Sequence, residues 1–287
     1  MEVKKIAVLG AGLMGHGITQ VAAQIGKYEV YMRDVEQRFI DSGMNMIKAS
    51  LQKFVSKGQI TEQQMNEILA RIHPTLNLKE AVQNADLIIE AIPENVELKK
   101  ATFREVDSYA PPHAIIASNT SSISITELAS ATKRPEKVCG MHFFNPPQLM
   151  KLVEVIRGAK TSDETIQTVL DVAHKMEKET VLVKKDCPGF IVNRILIPAL
   201  NEAVALYWEG VAERDDIDKA IKLGLNWPMG PLMLLDYIGA DTTLFIAEVL
   251  EREIDEKFHP HPGLKQMVRA NMLGRKTGKG FYDWTQK

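Results

Sequence analysis

Residues 5–33, KIAVLGAGLMGHGITQVAAQIGKYEVYMR, decide the fold. Lys5–Leu9 is a short apolar, β-rich run, residues 18–25 form an apolar helix-like stretch, and Glu29–Arg33 is a second strand-like run closed by Asp34. Between the first strand and the helix stand Gly10, Gly12 and Gly15 in the spacing G-x-G-x-x-G. That spacing alone also marks plain turns. After a strand, ahead of a helix, and with an acidic residue ending the next strand, it points to a bound dinucleotide. Gly10 permits the tight turn, Gly12 lets the backbone approach a pyrophosphate, and Gly15 allows close helix–strand packing. Leu13 and Met14 belong to the same cradle, where uncapped N–H groups and the positive helix end face the phosphates. Asp34 would accept hydrogen bonds from the adenosine ribose hydroxyls and repel a 2′-phosphate, so NAD is the expected cofactor; Arg33 beside it leaves NADP open.

Working outward, further apolar strand-like runs recur at 86–91, 114–117 and 138–141, separated by helix-like segments. This alternation implies an α/β fold with a parallel sheet covered on both faces. Between the second strand and residue 86 lies an insertion in which Ile40, Met44, Ile47, Leu51 and Val55 keep helical spacing. It reads as a projecting helical arm, about 35–72, of two helices (35–57 and 61–72) joined at Lys57-Gly58. Strand-like runs continue through Leu152–Ile156 and 180–183. After Pro188-Gly189, a plausible hinge, the pattern turns helical through 190–209, 212–223 and 241–253. The expected organisation is therefore an α/β N-terminal domain, 1–185, and an all-α C-terminal domain, 186–287. The glycine- and lysine-rich tail 274–284 reads as an ordered loop.

Composition excludes several classes. A formal net charge of -2 over 287 residues offers no global basic field, so no nucleic-acid partner is expected. Two cysteines, Cys139 and Cys187, make neither a metal-type pair nor a disulfide framework, and a reducing compartment is expected. No apolar run approaches the ~20 residues that span a bilayer, and no signal peptide precedes the first strand. A cytoplasmic protein without a metal site or a membrane partner is expected.

The chemistry-bearing residues lie downstream. His142, in MHFFNPP, follows an apolar strand, and in open α/β sheets ligands bind beyond the carboxyl ends of strands. An imidazole titrating near ~6.5 can take a proton from an alcohol and return it, although a histidine in this place also reads as structural. Glu154 stands inside the apolar run Leu152–Ile156, where a carboxylate is costly unless paired. A nearby imidazole is a suitable partner; alternation turning Glu154 to solvent is the other reading. Residues 118–122, SNTSS, supply hydroxyl and amide groups at another strand end and also resemble a helix N-cap. Asn193, in DCPGFIVNR, falls on the first helix of the second domain, facing either a cleft or solvent.

With these residues in view, the chain resembles the L-3-hydroxyacyl-CoA dehydrogenase family, and within it the short 3-hydroxybutyryl-CoA dehydrogenases. The likeness spans nearly the whole chain through GAGLMGHGI, SNTSS, GMHFFNPP, MKLVEVI, DCPGFIVNRIL, MGPLMLLDYIG and GRKTGKGFYD. It implies a Rossmann-like NAD domain followed by a helical domain that carries most of a homodimer contact. It implies His142 as general base toward the 3-hydroxyl, Glu154 as its electrostatic partner, and Ser121 and Asn193 as substrate-contacting groups. It places NAD contacts at Asp34, Glu94, Lys99, Ser121, Asn145 and Lys276, and coenzyme A contacts at Ser50 and Lys57 in the arm. Lys48, Lys53 and Lys57 make physical sense as partners for CoA phosphates, or as a solvated helix face. The expected activity is reversible oxidation of (S)-3-hydroxyacyl-CoA to 3-ketoacyl-CoA with NAD. Two rival readings are a same-fold dehydrogenase acting on a hydroxy acid without CoA, and a nucleotide-binding protein without turnover.

Overall fold

The glycine-rich turn lies between strand β1 (Lys5–Leu9) and helix α1 (Gly15–Gln24), and β2 (Glu29–Arg33) follows. The coordinates are a computed structural model that describes residues 1–285. The N-terminal unit continues with α2 (Gln37–Ser56), α3 (Glu62–Ala70), β3 (Ile72–Thr75), α4 (Leu78–Val82), β4 (Leu87–Glu90), α5 (Val96–Tyr109) and β5 (Ile115–Ser118). It ends with α6 (Ile125–Ala129), β6 (Val138–Phe143), β7 (Leu152–Ile156), α7 (Asp163–Lys175) and β8 (Glu179–Val183). The sheet order is β3-β2-β1-β4-β5-β6-β7-β8. The order turns back between β1 and β4, the switch point where a ligand crevice opens beyond the strand ends.

Two sequence expectations need correction. The sheet is mixed, because β7 pairs antiparallel with β6. The connection, 144–151, is too short for the crossover helix that a parallel neighbour requires, so the chain reverses. The helical arm, expected to run to residue 72, stops at Ala70, and Ile72–Thr75 joins the sheet edge beside β2. Pro74 is tolerated there because an edge strand need not donate every N–H.

The arm's base does not project. Ile40, Ile47 and Leu51 recur on one side of α2 and are buried in the same apolar cluster as β1 and β2. Each fully buried aliphatic chain stabilises the packing by about 1.5–3 kcal/mol. Gly43 on that side brings α2 against the glycine loop, since a Cβ there would stand 2.7 Å from the Ala11 carbonyl oxygen. Thr61 and Gln64 form a reciprocal capping box that starts α3.

The chain divides into two units, Met1–Cys187 and Pro188–Lys287. The second contains α8 (Val192–Trp208), α9 (Arg214–Gly224), α10 (Pro231–Ile238), α11 (Ala240–Glu253) and α12 (Pro262–Arg269). Leu200, Val204, Leu232, Leu235 and Leu264 form its core. Two buried carboxylates organise it. Asp218 accepts from the Leu232 and Met233 amides and from the Tyr282 hydroxyl. Asp236 accepts from the Phe281 and Tyr282 amides and from Trp284 Nε1, which orders the tail as a loop. Among the described residues no helix is long and apolar enough to cross a membrane.

Candidate active site

Strands β1, β4, β5 and β6 are mutually parallel neighbours, so their carboxyl ends share one edge. At about 4.8 Å per strand the edge runs roughly 15 Å from the glycine loop to His142. Along it follow the loop after β1, Glu94 after β4, residues 118–122 after β5, and His142 within β6.

The loop's geometry fits a dinucleotide. Gly10 has φ +106°, and a Cβ there would sit 2.4 Å from the Ala91 carbonyl oxygen. A Cβ on Gly15 would lie 1.8 Å from the Gly10 oxygen, so both positions are closed to larger residues by protein alone. Gly12 differs: its Cβ would meet no protein atom within 4 Å. No internal contact demands a glycine there, and the space lies at the start of α1, which has no side-chain cap. That is the room and the polarity a pyrophosphate needs. Asp34 accepts from the Ala11 amide at 2.7 Å and the Val35 amide at 2.7 Å. A carboxylate offers about four lone-pair sites, so two remain for ribose hydroxyls. Arg33 turns toward the Leu76 carbonyl at 3.3 Å. Leu13 is exposed and Met14 half-buried in the same turn.

At the far end of the edge, His142 and Glu154 are directly opposite in the antiparallel ladder. His142 Nδ1 lies 2.8 Å from Glu154 Oε2, with the histidine side chain 8% and the glutamate side chain 0% exposed. A carboxylate only accepts, so Nδ1 carries the proton and Nε2 is the basic nitrogen of the neutral ring. The Phe144 ring packs on the imidazole with centroids 4.6 Å apart. His142 was expected just after its strand; β6 extends through Phe143 and includes it. The Asn119 side chain accepts from the Phe143 amide at 2.9 Å and fixes this strand end to the 118–122 loop.

Glu94 gathers that loop. It accepts from the Thr120 hydroxyl, from the Ser121 amide at 3.1 Å and from the Ser122 hydroxyl at 3.2 Å, and pairs with Lys99 at 3.2 Å. Burial acts to raise its pKa, but the Lys99 charge and these hydrogen bonds outweigh it, leaving the carboxyl below its ordinary value. A depressed carboxyl stabilises the fold fully above the ordinary value of 4.5 and loses that contribution as pH falls below it. Glu94→Gln should destabilise by roughly 1–3 kcal/mol at neutral pH, with the difference from wild type shrinking on acidification. Thermal unfolding across that range checks it; a constant difference would contradict the assignment.

Of the remaining expected residues, Asn145 lies in the 144–151 connection, joined to Pro146 by a cis peptide bond. Lys99 is buried. On α2, Ser50 and Lys53 lie at i and i+3 and share one face, whereas Lys48 falls on the opposite side; Lys57 caps the helix's C-terminal end. Asn193 is buried in the first turn of α8, and Lys276 pairs with Asp241; both belong to the second unit. Sequence reasoning missed Lys178. It is buried and donates to the Pro147 and Met150 carbonyls at 2.6 and 2.8 Å, which pins the connection between the His142 and Glu154 strands. Burial holds its ammonium below the usual lysine range.

Residues 5–187 match the family model described as 3-hydroxyacyl-CoA dehydrogenase, NAD binding domain, and residues 189–284 match the C-terminal domain of the same enzyme. The chain belongs to the 3-hydroxyacyl-CoA dehydrogenase family. It is a dehydrogenase, and NAD is its cofactor. A probable 3-hydroxybutyryl-CoA dehydrogenase of Bacillus subtilis is 49% identical over 288 residues, covering 100% of this chain and 99% of that protein. The 3-hydroxybutyryl-CoA dehydrogenase of Clostridioides difficile is 48% identical, covering 98% of this chain and 100% of that one. The crystal structure of the (S)-3-hydroxybutyryl-CoA dehydrogenase PaaH1 from Ralstonia eutropha superposes with a TM-score of 0.94 at 42% identity, covering 99% of this chain and 100% of that one. Within this 3-hydroxyacyl-CoA dehydrogenase, the α/β unit bearing the glycine loop coincides with the NAD-binding match and the helical unit with the C-terminal one.

Proposed function

We propose that the protein catalyses reversible oxidation of (S)-3-hydroxyacyl-CoA, with the short-chain 3-hydroxybutyryl-CoA as substrate, to 3-ketoacyl-CoA. The observation that carries this reading is the buried His142–Glu154 pair at 2.8 Å, on the same sheet edge as the glycine loop. His142 Nε2 takes the proton of the 3-hydroxyl as the C3–O bond becomes a carbonyl. NAD, when bound, accepts the hydride leaving C3. Glu154 fixes the ring's orientation and tautomer and offsets the positive charge that forms on it. In reduction the imidazolium returns the proton to the ketone oxygen. Ser121 and Asn193 hold the reacting oxygen and the thioester end. Ser50 and Lys57 receive the coenzyme A moiety, one in the last two turns of α2 and the other at its C-terminal cap. Asp34, Glu94, Lys99, Asn145 and Lys276 serve the cofactor. The assembly is a homodimer through the helical unit, a reading supported by exposed Ile195, Val211, Leu223 and Leu225 there. The cytoplasm is its compartment.

The test follows NADH absorbance with acetoacetyl-CoA, with NADPH and free acetoacetate in parallel. NADH should be consumed rapidly with the thioester and slowly with free acetoacetate. Equal rates on both ketones would remove coenzyme A from the reading, and no oxidation of either cofactor would remove the activity.

A further inference from the structure

We propose that Glu90 is a positioning residue for the 118–122 loop and Glu94, acting through Lys99 and Ser118. This rests on the proposed function only in treating Ser121 and Glu94 as groups that face substrate and cofactor. Glu90 closes β4 with its side chain at 0% exposure. Its carboxylate accepts from Lys99 Nζ at 2.6 Å, the Ile92 amide at 2.7 Å and the Ser118 hydroxyl at 2.6 Å. Lys99, itself 1% exposed, gives its other two ammonium protons to the Ile92 carbonyl at 3.1 Å and to Glu94 at 3.2 Å. From Ser118 the chain of bonds passes to the Thr120 amide, and from Thr120 to Glu94 and the Ser122 and Ile123 amides. The loop carrying Ser121 is thus tied to Glu90 by two routes, one through an ion pair and one through a hydroxyl.

The charges explain why both partners are needed. The titratable groups facing Glu90 are Lys99 from α5 and, beyond it, Glu94 from the segment after β4. At its register position β1 offers Leu9, and β5 offers Ser118. Two carboxylates share one ammonium; Glu90 and Lys99 are closed to water, and Glu94 is half-buried. Removing the ammonium leaves a fully buried anion without a counter-charge, whereas removing Glu90's charge together with it does not. A lysine whose contribution was a direct ligand contact would not be rescued by changing its neighbour.

Wild type, Lys99→Met and the double variant Glu90→Gln/Lys99→Met are compared by backbone amide exchange at 118–123 in the protein without cofactor, and by kcat with NADH and acetoacetyl-CoA. In Lys99→Met the Glu90 carboxylate keeps the Ile92 amide and the Ser118 hydroxyl but loses its counter-charge. Loop protection should therefore fall below wild type, and kcat should drop on the order of 10²-fold. The double variant should recover loop protection to near wild type, while kcat stays reduced because Lys99 also serves the cofactor. Wild-type protection in Lys99→Met, or a double variant no better than the single one, overturns the proposal. If Lys99→Met does not fold, the double variant decides alone: a protected loop supports charge compensation and an unprotected loop refutes it. Because exchange is read without substrate, a wild-type enzyme inactive on acetoacetyl-CoA would sink the proposed function and leave this result standing.

Discussion

Replacing His142 with glutamine is expected to lower kcat for acetoacetyl-CoA reduction by about 10²- to 10⁴-fold, while NADH affinity stays near wild type. Glutamine can still reach Glu154 with its amide but cannot carry a proton to or from an oxygen. The glycine loop and Asp34 belong to β1 and β2, on the other side of β4 and β5, so the cofactor cradle is undisturbed. Steady-state kinetics beside a fluorescence titration with NADH separates the two effects. A variant with near wild-type kcat would remove His142 from proton transfer. A variant that lost NADH binding would give the residue a different role.

The second large effect comes from two glycines that look alike in sequence and differ in space. Gly15→Ala places a Cβ 1.8 Å from the Gly10 carbonyl oxygen, where backbone must move because no flexible side chain can yield. The start of α1 is displaced, so the melting temperature should fall and NADH affinity should drop on the order of 10²-fold, about 2.7 kcal/mol. Gly12→Ala puts its methyl group into open space. Its melting temperature should match wild type while NADH binding still weakens, because the methyl occupies the pyrophosphate's approach. Thermal unfolding and NADH titration of both variants check this. Gly12→Ala binding NADH as wild type does would move the phosphates away from that residue.

The first strand, the turn and the helix were legible because each carries its own local rule: an apolar run, three glycines at fixed offsets, and a 3.6-residue period. The sheet edge was not. Ile72–Thr75 carries one apolar residue and a proline, and the helical reading of the arm ran into its first residue. Strand direction was also hidden, since an apolar run looks the same in either sense; only the short 144–151 connection signals the reversal at β7. The proximity of His142 and Glu154 depends on the β6–β7 register, a non-local quantity. What the sequence carried was the cost of a carboxylate inside an apolar run, and that cost argued for a partner without naming its place. The same signal stood at Glu90, inside the run read as 86–91, and went unread. Lys178 gave no signal, and Lys99 none beyond the family resemblance, because an aliphatic stem that buries its charged head looks like any surface lysine until its partners are placed.

The antiparallel turn between β6 and β7 has a modular consequence. His142, Glu154 and the ladder that aligns them are all products of one sheet within residues 1–187. The proposed proton-handling pair thus lies in the same unit as the nucleotide loop, whereas Asn193 lies in the helical unit. Exchange of the helical unit would leave the proposed acid–base pair intact. A chimera carrying residues 1–187 of this chain and the helical unit of a relative is the laboratory form of that exchange.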